Sequence, residues 1–208
     1  MKIITISREF GSGGRELGKR IAEHLGFDYY DREVVTEIAT RCDVSEGYAK
    51  YLLRHQFTGS SSAITVRQSF SMPSVLQTAQ LQVLREQTNV IEDIAKVGRD
   101  FVIVGRNADI LLAEYNPFNI FVCTDKESAI KRTLERAQPG EELTEKEILK
   151  NMKLINKNRK KTREMISDSE WGARDGYNLI VNTAGWQIKN LAPYVASLAN
   201  GYFEQNKD

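Results

Sequence analysis

Three glycines, Gly11, Gly13 and Gly14, follow a β-branched run from Ile3 to Ile6 and precede a stretch with Leu17, Ile21, Ala22 and Leu25 at helical spacing. Strand, glycine turn and helix in that order let backbone N–H groups converge on an anion. The helix N-terminus adds about half a positive charge. The chemistry this suits is phosphate binding. The usual signature for such a loop, G-x-x-x-x-G-K-[ST], is only half present. Arg8 stands at its first glycine, Gly13 at its second, and Gly14 where the lysine belongs. Arg15 and Glu16 occupy the place of the magnesium-binding hydroxyl. A tight turn holding no ligand is the alternative reading of the same residues.

Two further arginine groups bear on the same chemistry. Arg106 directly follows the apolar run Phe101 to Val104, so its fork can reach over a sheet edge toward a phosphate or a pyrimidine. The alternative is an arginine paired with a nearby carboxylate such as Asp109. Between Lys153 and Arg163 the chain is strongly basic, and on one helix Asn156, Arg159 and Arg163 share a face. Such a stripe can close over a polyphosphate and neutralise charge during phosphoryl transfer. The lysines of that run read as a solvated face.

These side chains need elements to hold them. Apolar runs at 3–6, 27–30, 101–104, 119–123 and 179–182 alternate with helical patterns, which implies a parallel sheet covered on both faces. Ligands on such sheets sit beyond the carboxyl ends of the strands. The places to inspect are therefore Ser7 to Gly14, Asp31-Arg32, Gly105-Arg106-Asn107, Thr124-Asp125 and Asn182-Thr183. Asp31 and Asp125 read as helix N-caps, and Thr144-Glu-Lys-Glu147 as a capping box opening a long helix to about Ile166. Gly26 reads as a helix C-cap. The serine-rich segment 56–73 reads as a mobile connection. Trp171 and Tyr177 read as clamps on the sheet edge.

At 208 residues, 41% apolar and 27% charged, the chain has the composition of one globular domain. A net charge of +1 argues against bulk attraction to nucleic acid or membrane, so any basic site is local. Two cysteines and two histidines, widely spaced, argue against structural zinc and a disulfide framework. Neither a signal peptide nor a membrane-length apolar run is read, and the expected setting is the cytoplasm. The exposed long helices would allow a homodimer.

With these residues assembled, the chain resembles the cytidylate kinase-like family, a branch of the P-loop nucleoside monophosphate kinases. The resemblance is carried by residues 6–15, 102–109 and 156–159. It implies an α/β fold of P-loop nucleoside kinase type, with a parallel five-stranded sheet flanked by helices. A single domain over 1–208 would carry a helical acceptor-side insertion at about 42–75 and a helical lid at about 144–176. It further implies ATP with magnesium as cofactors and phosphoryl transfer to CMP, dCMP or another small acceptor. Gly11, Ser12, Gly13, Gly14, Arg15 and Glu16 would hold the donor. Arg8, Asp31, Arg32, Arg106, Asn107, Asn156 and Arg159 would hold the acceptor. Arg15, Arg159 and Arg163 would act on the transferring group. The family's lid pattern D-x-x-R has its aspartate softened to Asn156, and the acidic residues around its Gly-Arg pair are here Val104 and Asn107. Arg8, Arg15 or Lys19 would stand in for the missing lysine, and Glu9, Glu16 or Asp31 for the metal ligands. A protein of this fold that binds a nucleotide or phosphorylated metabolite without turnover is the competing expectation.

Overall fold

The computed structural model describes residues 1–54, 75–137, 141 and 143–206. The expected connection at 56–73 lies outside the described residues. The chain divides into two compact units, Met1–Asp31 with Ile91–Asp208, and Arg32–Val90.

The first unit is built on five parallel strands, β1 (Ile3–Arg8), β2 (Asp28–Tyr30), β3 (Phe101–Val104), β4 (Phe118–Cys123) and β5 (Leu179–Asn182), in the order β2-β3-β1-β4-β5. Ile6 lies opposite Val104 on one side and Ile120 on the other. Strands leave β1 in both directions, so a crevice opens at the carboxyl ends of β1 and β3. The β-branched runs form strands because both sheet faces are covered. On one face Ile4, Ile6, Val104 and Ile120 pack against Leu17 and Ile21 of α1 (Gly14–Leu25). In sequence order the helices that follow are α2 (Glu33–Arg41), α3 (Glu46–Arg54), α4 (Val75–Lys96), α5 (Ala108–Leu111), α6 (Lys126–Glu135), α7 (Glu145–Glu164) and α8 (Ile188–Gln205). Leu191, Val195 and Ala199 of α8 complete the core on that face. Each fully buried aliphatic side chain contributes about 1.5–3 kcal/mol.

The local signals that start helices behave as their chemistry dictates. Asp125 Oδ1 accepts from the Ser128 amide at 2.6 Å, opening α6. Thr144 and Glu147 form the reciprocal capping box that opens α7. Gly26 closes α1 with a left-handed φ of 71°. Asp125→Ala is expected to lower stability by about 1 kcal/mol, read as a shift in the urea unfolding midpoint. Asp31 differs from expectation. The N-cap of α2 is Arg32, without a side-chain cap, because the Asp31 carboxylate is drawn instead to Arg15.

The second unit begins at Arg32. The apolar faces of its α2 and α3 are covered: Val34, Val35, Ile38, Ala39, Ala49 and Leu52 are all buried. Among the described residues, no helix is long and apolar enough to cross a membrane.

Candidate active site

After β1 the chain turns through Glu9, whose amide donates to the Val122 carbonyl at 2.9 Å, and enters α1 at Gly14. The first helical bond runs from the Leu17 amide to the Gly13 carbonyl. The amides at the start of the helix therefore have no acceptor within it, the condition for an anion site. The glycine at the lysine position has a steric cause. A Cβ on Gly14 would lie 2.7 Å from the Cβ of Arg8. Arg8 fills the space a residue 14 side chain needs, so the loop carries its positive charge on the strand end instead.

The Arg8 guanidinium in turn lies flat against Gly105, at the end of β3. A Cβ there would fall 1.6 Å from Arg8 Nη1. The β3 turn is left-handed at three consecutive residues, with φ of 76° at Gly105, 63° at Arg106 and 53° at Asn107. The last two are non-glycine residues in a conformation that L side chains avoid. Across the crevice, α7 docks on the loop. The Phe10 amide donates to Asn156 Oδ1 at 2.8 Å, and Arg159 Nη1 donates to the Arg8 carbonyl at 2.8 Å. Arg15, about half exposed, donates through Nε to Asp31 Oδ2 at 2.5 Å.

Arg8, Arg15, Arg106 and Arg159 are thus electrostatically coupled. Burial holds the Arg159 pKa well below the usual arginine range, with Arg8, Arg15 and Arg106 adding to that depression and Asp31 opposing it. Burial likewise lowers Arg8, against the pull of Asp31. A guanidinium stays protonated, so the depression expresses unfavourable energy that an anion would relieve.

The remaining expected residues are placed differently. Ser12 is fully buried; its hydroxyl donates to the Glu9 carbonyl at 2.9 Å and its carbonyl accepts from Thr183 Oγ1 at 2.7 Å. Glu16 pairs with Arg20 at 2.8 Å and Arg136 at 2.5 Å. Arg163 is buried against Asp109, the carboxylate that sequence reasoning had weighed as a partner for Arg106. Arg32 is exposed at the start of α2, in the other unit.

Arg132 of α6 escaped the sequence reading. Its Nη1 donates to Thr124 Oγ1 and Thr183 Oγ1, both at 3.1 Å, and to the Gly11 carbonyl at 3.4 Å. Its Nη2 donates to the carbonyls of Thr183 and Trp186. On a charged helix it looks like any solvated arginine; its role depends on residues some 50 and 120 positions away. Arg132→Met is expected to destabilise the chain by roughly 2–3 kcal/mol, since the buried Thr183 and the half-buried Gly11 and Thr124 lose a charged donor. Chemical denaturation measures this. Behind the loop lies a cavity of about 700 Å³, lined by Glu16, Arg132, Arg136, Gly185, Trp186 and Gln187 among others.

Magnesium at such a site is held by one or two carboxylates together with substrate phosphates. Of the three acids expected for it, Asp31 and Glu16 are bound to arginines. Glu9 makes no ion pair among the described residues, and its Oε2 accepts from the Thr124 amide at 3.2 Å. Glu9 therefore fits the role. Among the described residues no group of three His, Cys, Asp or Glu forms a cage.

The profile of the cytidylate kinase-like family matches residues 3–185. No curated protein sequence matches the chain. Among solved structures, an uncharacterized protein from Eubacterium ventriosum is 26% identical, covering 96% of this chain and 99% of its own, with a TM-score of 0.69. Shikimate kinase from Acinetobacter baumannii, solved with shikimate, is 13% identical, covers 97% and 94%, and gives 0.54. A sugar kinase from Janibacter is 11% identical, covers 95% and 93%, and gives 0.53. The last two share the fold of this chain.

Proposed function

The chain belongs to the cytidylate kinase-like family, and from that premise we propose that it transfers the terminal phosphoryl group of ATP to a CMP-like or other small anionic acceptor. The observation that carries this reading is the coupling of Arg8, Arg15, Arg106 and Arg159 beside the glycine loop, with Asp31 as their counter-charge. In this reading the first amides of α1 hold the donor phosphates, and the cavity behind the loop takes the donor base against Trp186. Arg106 and Arg8 hold the acceptor's anionic group. Arg15 and Arg159 replace the missing lysine. An acceptor oxygen attacks the γ-phosphorus while the bond to the β-bridging oxygen breaks, and ADP leaves with the electron pair. Charge spreads over the transferring group, and fixed guanidiniums neutralise it without reorganising. Magnesium, held by Glu9 and the nucleotide, would supply further neutralisation of the phosphate oxygens.

Arg163 takes no direct part, because it is buried with its Nη1 on Asp109 and its Nε on Ser169. The reading is tested by measuring ADP formed from ATP and magnesium across an acceptor panel that includes CMP and dCMP. Acceptor-dependent ADP release supports it. Saturable nucleotide binding with ADP at background across the whole panel would instead favour a binding protein of this fold, a reading that the missing lysine supports.

A further inference from the structure

We propose that the buried Asp109–Arg163 pair is a positioning device that holds the β3 turn carrying Arg106 and the α7 segment carrying Arg159 at one fixed separation. The inference rests on the phosphate-site reading above. Arg163 stands one helical turn beyond Arg159 on α7, yet it is only 2% exposed. Its Nη1 donates to Asp109 Oδ2, and its Nε donates to the Ser169 carbonyl at 3.2 Å and to Ser169 Oγ at 3.0 Å. The Tyr177 ring centroid lies 5.3 Å from Arg163 Cζ and covers the guanidinium. With its Nε and Nη1 donors engaged and its face covered, Arg163 acts through the elements it joins.

Those elements are the two that need joining. Asp109 lies in the first turn of α5, directly after the left-handed residues Arg106 and Asn107. Backbone held in that region persists only where its surroundings enforce it. At the other end of the pair, α7 reaches the loop through Arg159 and Asn156, which lie one and two turns before Arg163. The Arg159 guanidinium on α7 is repelled by Arg8, Arg15 and Arg106, and something must hold α7 in place before an anion arrives.

Stability alone does not explain the pair. Both charges are removed from water, and Asp109 Oδ1 has no hydrogen-bond partner among the described residues. A buried ion pair with an unmet oxygen is commonly no more stabilising than apolar side chains of the same volume. A guanidinium tied by Nη1 to the carboxylate and by Nε to Ser169 does fix direction and distance, which apolar packing does not.

The test replaces both charges at once, in Asp109→Leu/Arg163→Met, with Arg163→Lys as a second variant that keeps the charge but loses the fork. Three quantities are read: the urea midpoint, hydrogen exchange at the Phe10 amide, and affinity for inorganic pyrophosphate by calorimetry. The double variant is expected to keep a midpoint close to wild type. Its Phe10 amide should exchange about tenfold faster and its pyrophosphate affinity fall about tenfold, while amides of Ile4 and Ile120 are unchanged. Arg163→Lys should fall between it and wild type. Wild-type exchange at Phe10 in a folded variant would overturn the proposal; if the double variant does not fold, Arg163→Lys decides on the same amide. A wild-type protein that ignores pyrophosphate would defeat the phosphate-site reading, while the Phe10 exchange would still judge the pin by itself.

Discussion

Replacing Arg159 with methionine is expected to lower kcat by roughly 10²–10³-fold, the size of effect seen when one fixed charge stabiliser is removed from a transition state. KM for the acceptor should change far less. The expectation follows from where the guanidinium sits. It is half-buried on α7, beside Arg8, Arg15 and Arg106, and its Nη1 donates to the backbone of the loop. Its remaining donors are available to charge that develops between donor and acceptor. Methionine retains most of the buried volume, so the urea midpoint should hold or rise, because a repelling charge has gone. Steady-state kinetics on a folded variant separates the two effects. A proportional loss of kcat and stability would point to unfolding instead.

Gly105→Ala should be nearly as damaging through a different route. Alanine at a φ of 76° carries a backbone penalty of about 1–2 kcal/mol. The larger effect is steric, since the new methyl would meet Arg8 Nη1 at 1.6 Å, and the guanidinium must leave its place. Arg8 cannot retreat toward Gly14, whose Cα already faces its Cβ. We expect a fall of about tenfold or more in pyrophosphate affinity, equal to about 1.4 kcal/mol or more. Calorimetry reads this directly. Arg8→Ala in the Gly105→Ala background should restore the fold without restoring the affinity, because the clash disappears together with the charge.

The strands and caps were legible in the sequence because local chemistry decides them. A continuous apolar run such as Phe101 to Val104 has few stable alternatives to a buried strand, and the acceptors of Asp125 and Thr144 lie three residues from their donors. The glycine loop was legible for the same reason. Its unusual charge placement was not, because the space that excludes a side chain at Gly14 belongs to Arg8, and the space that Arg8 needs belongs to Gly105. Those are packing facts between strands that pair in β1 and β3. Arg132 and the Asp109–Arg163 pair escaped for a related reason. Helical periodicity tells which residues share a face, but not which distant carboxylate or carbonyl that face meets. Asp109 illustrates it: sequence proximity suggests Arg106 as its partner, while the buried ion pair it forms is with Arg163, 54 residues away. Asp31 shows the converse, a good N-cap residue in the right place that is drawn off by Arg15.

The most direct test of the central claim, that Arg8, Arg15, Arg106 and Arg159 act as one phosphate-holding site, is calorimetric titration of wild type and Arg106→Met with ATP and magnesium, then with CMP. The expected result is a saturable nucleotide signal in both proteins, with the second-ligand signal lost or weakened about tenfold only in the variant. Equal titration curves for the two proteins, or none in wild type, would contradict it.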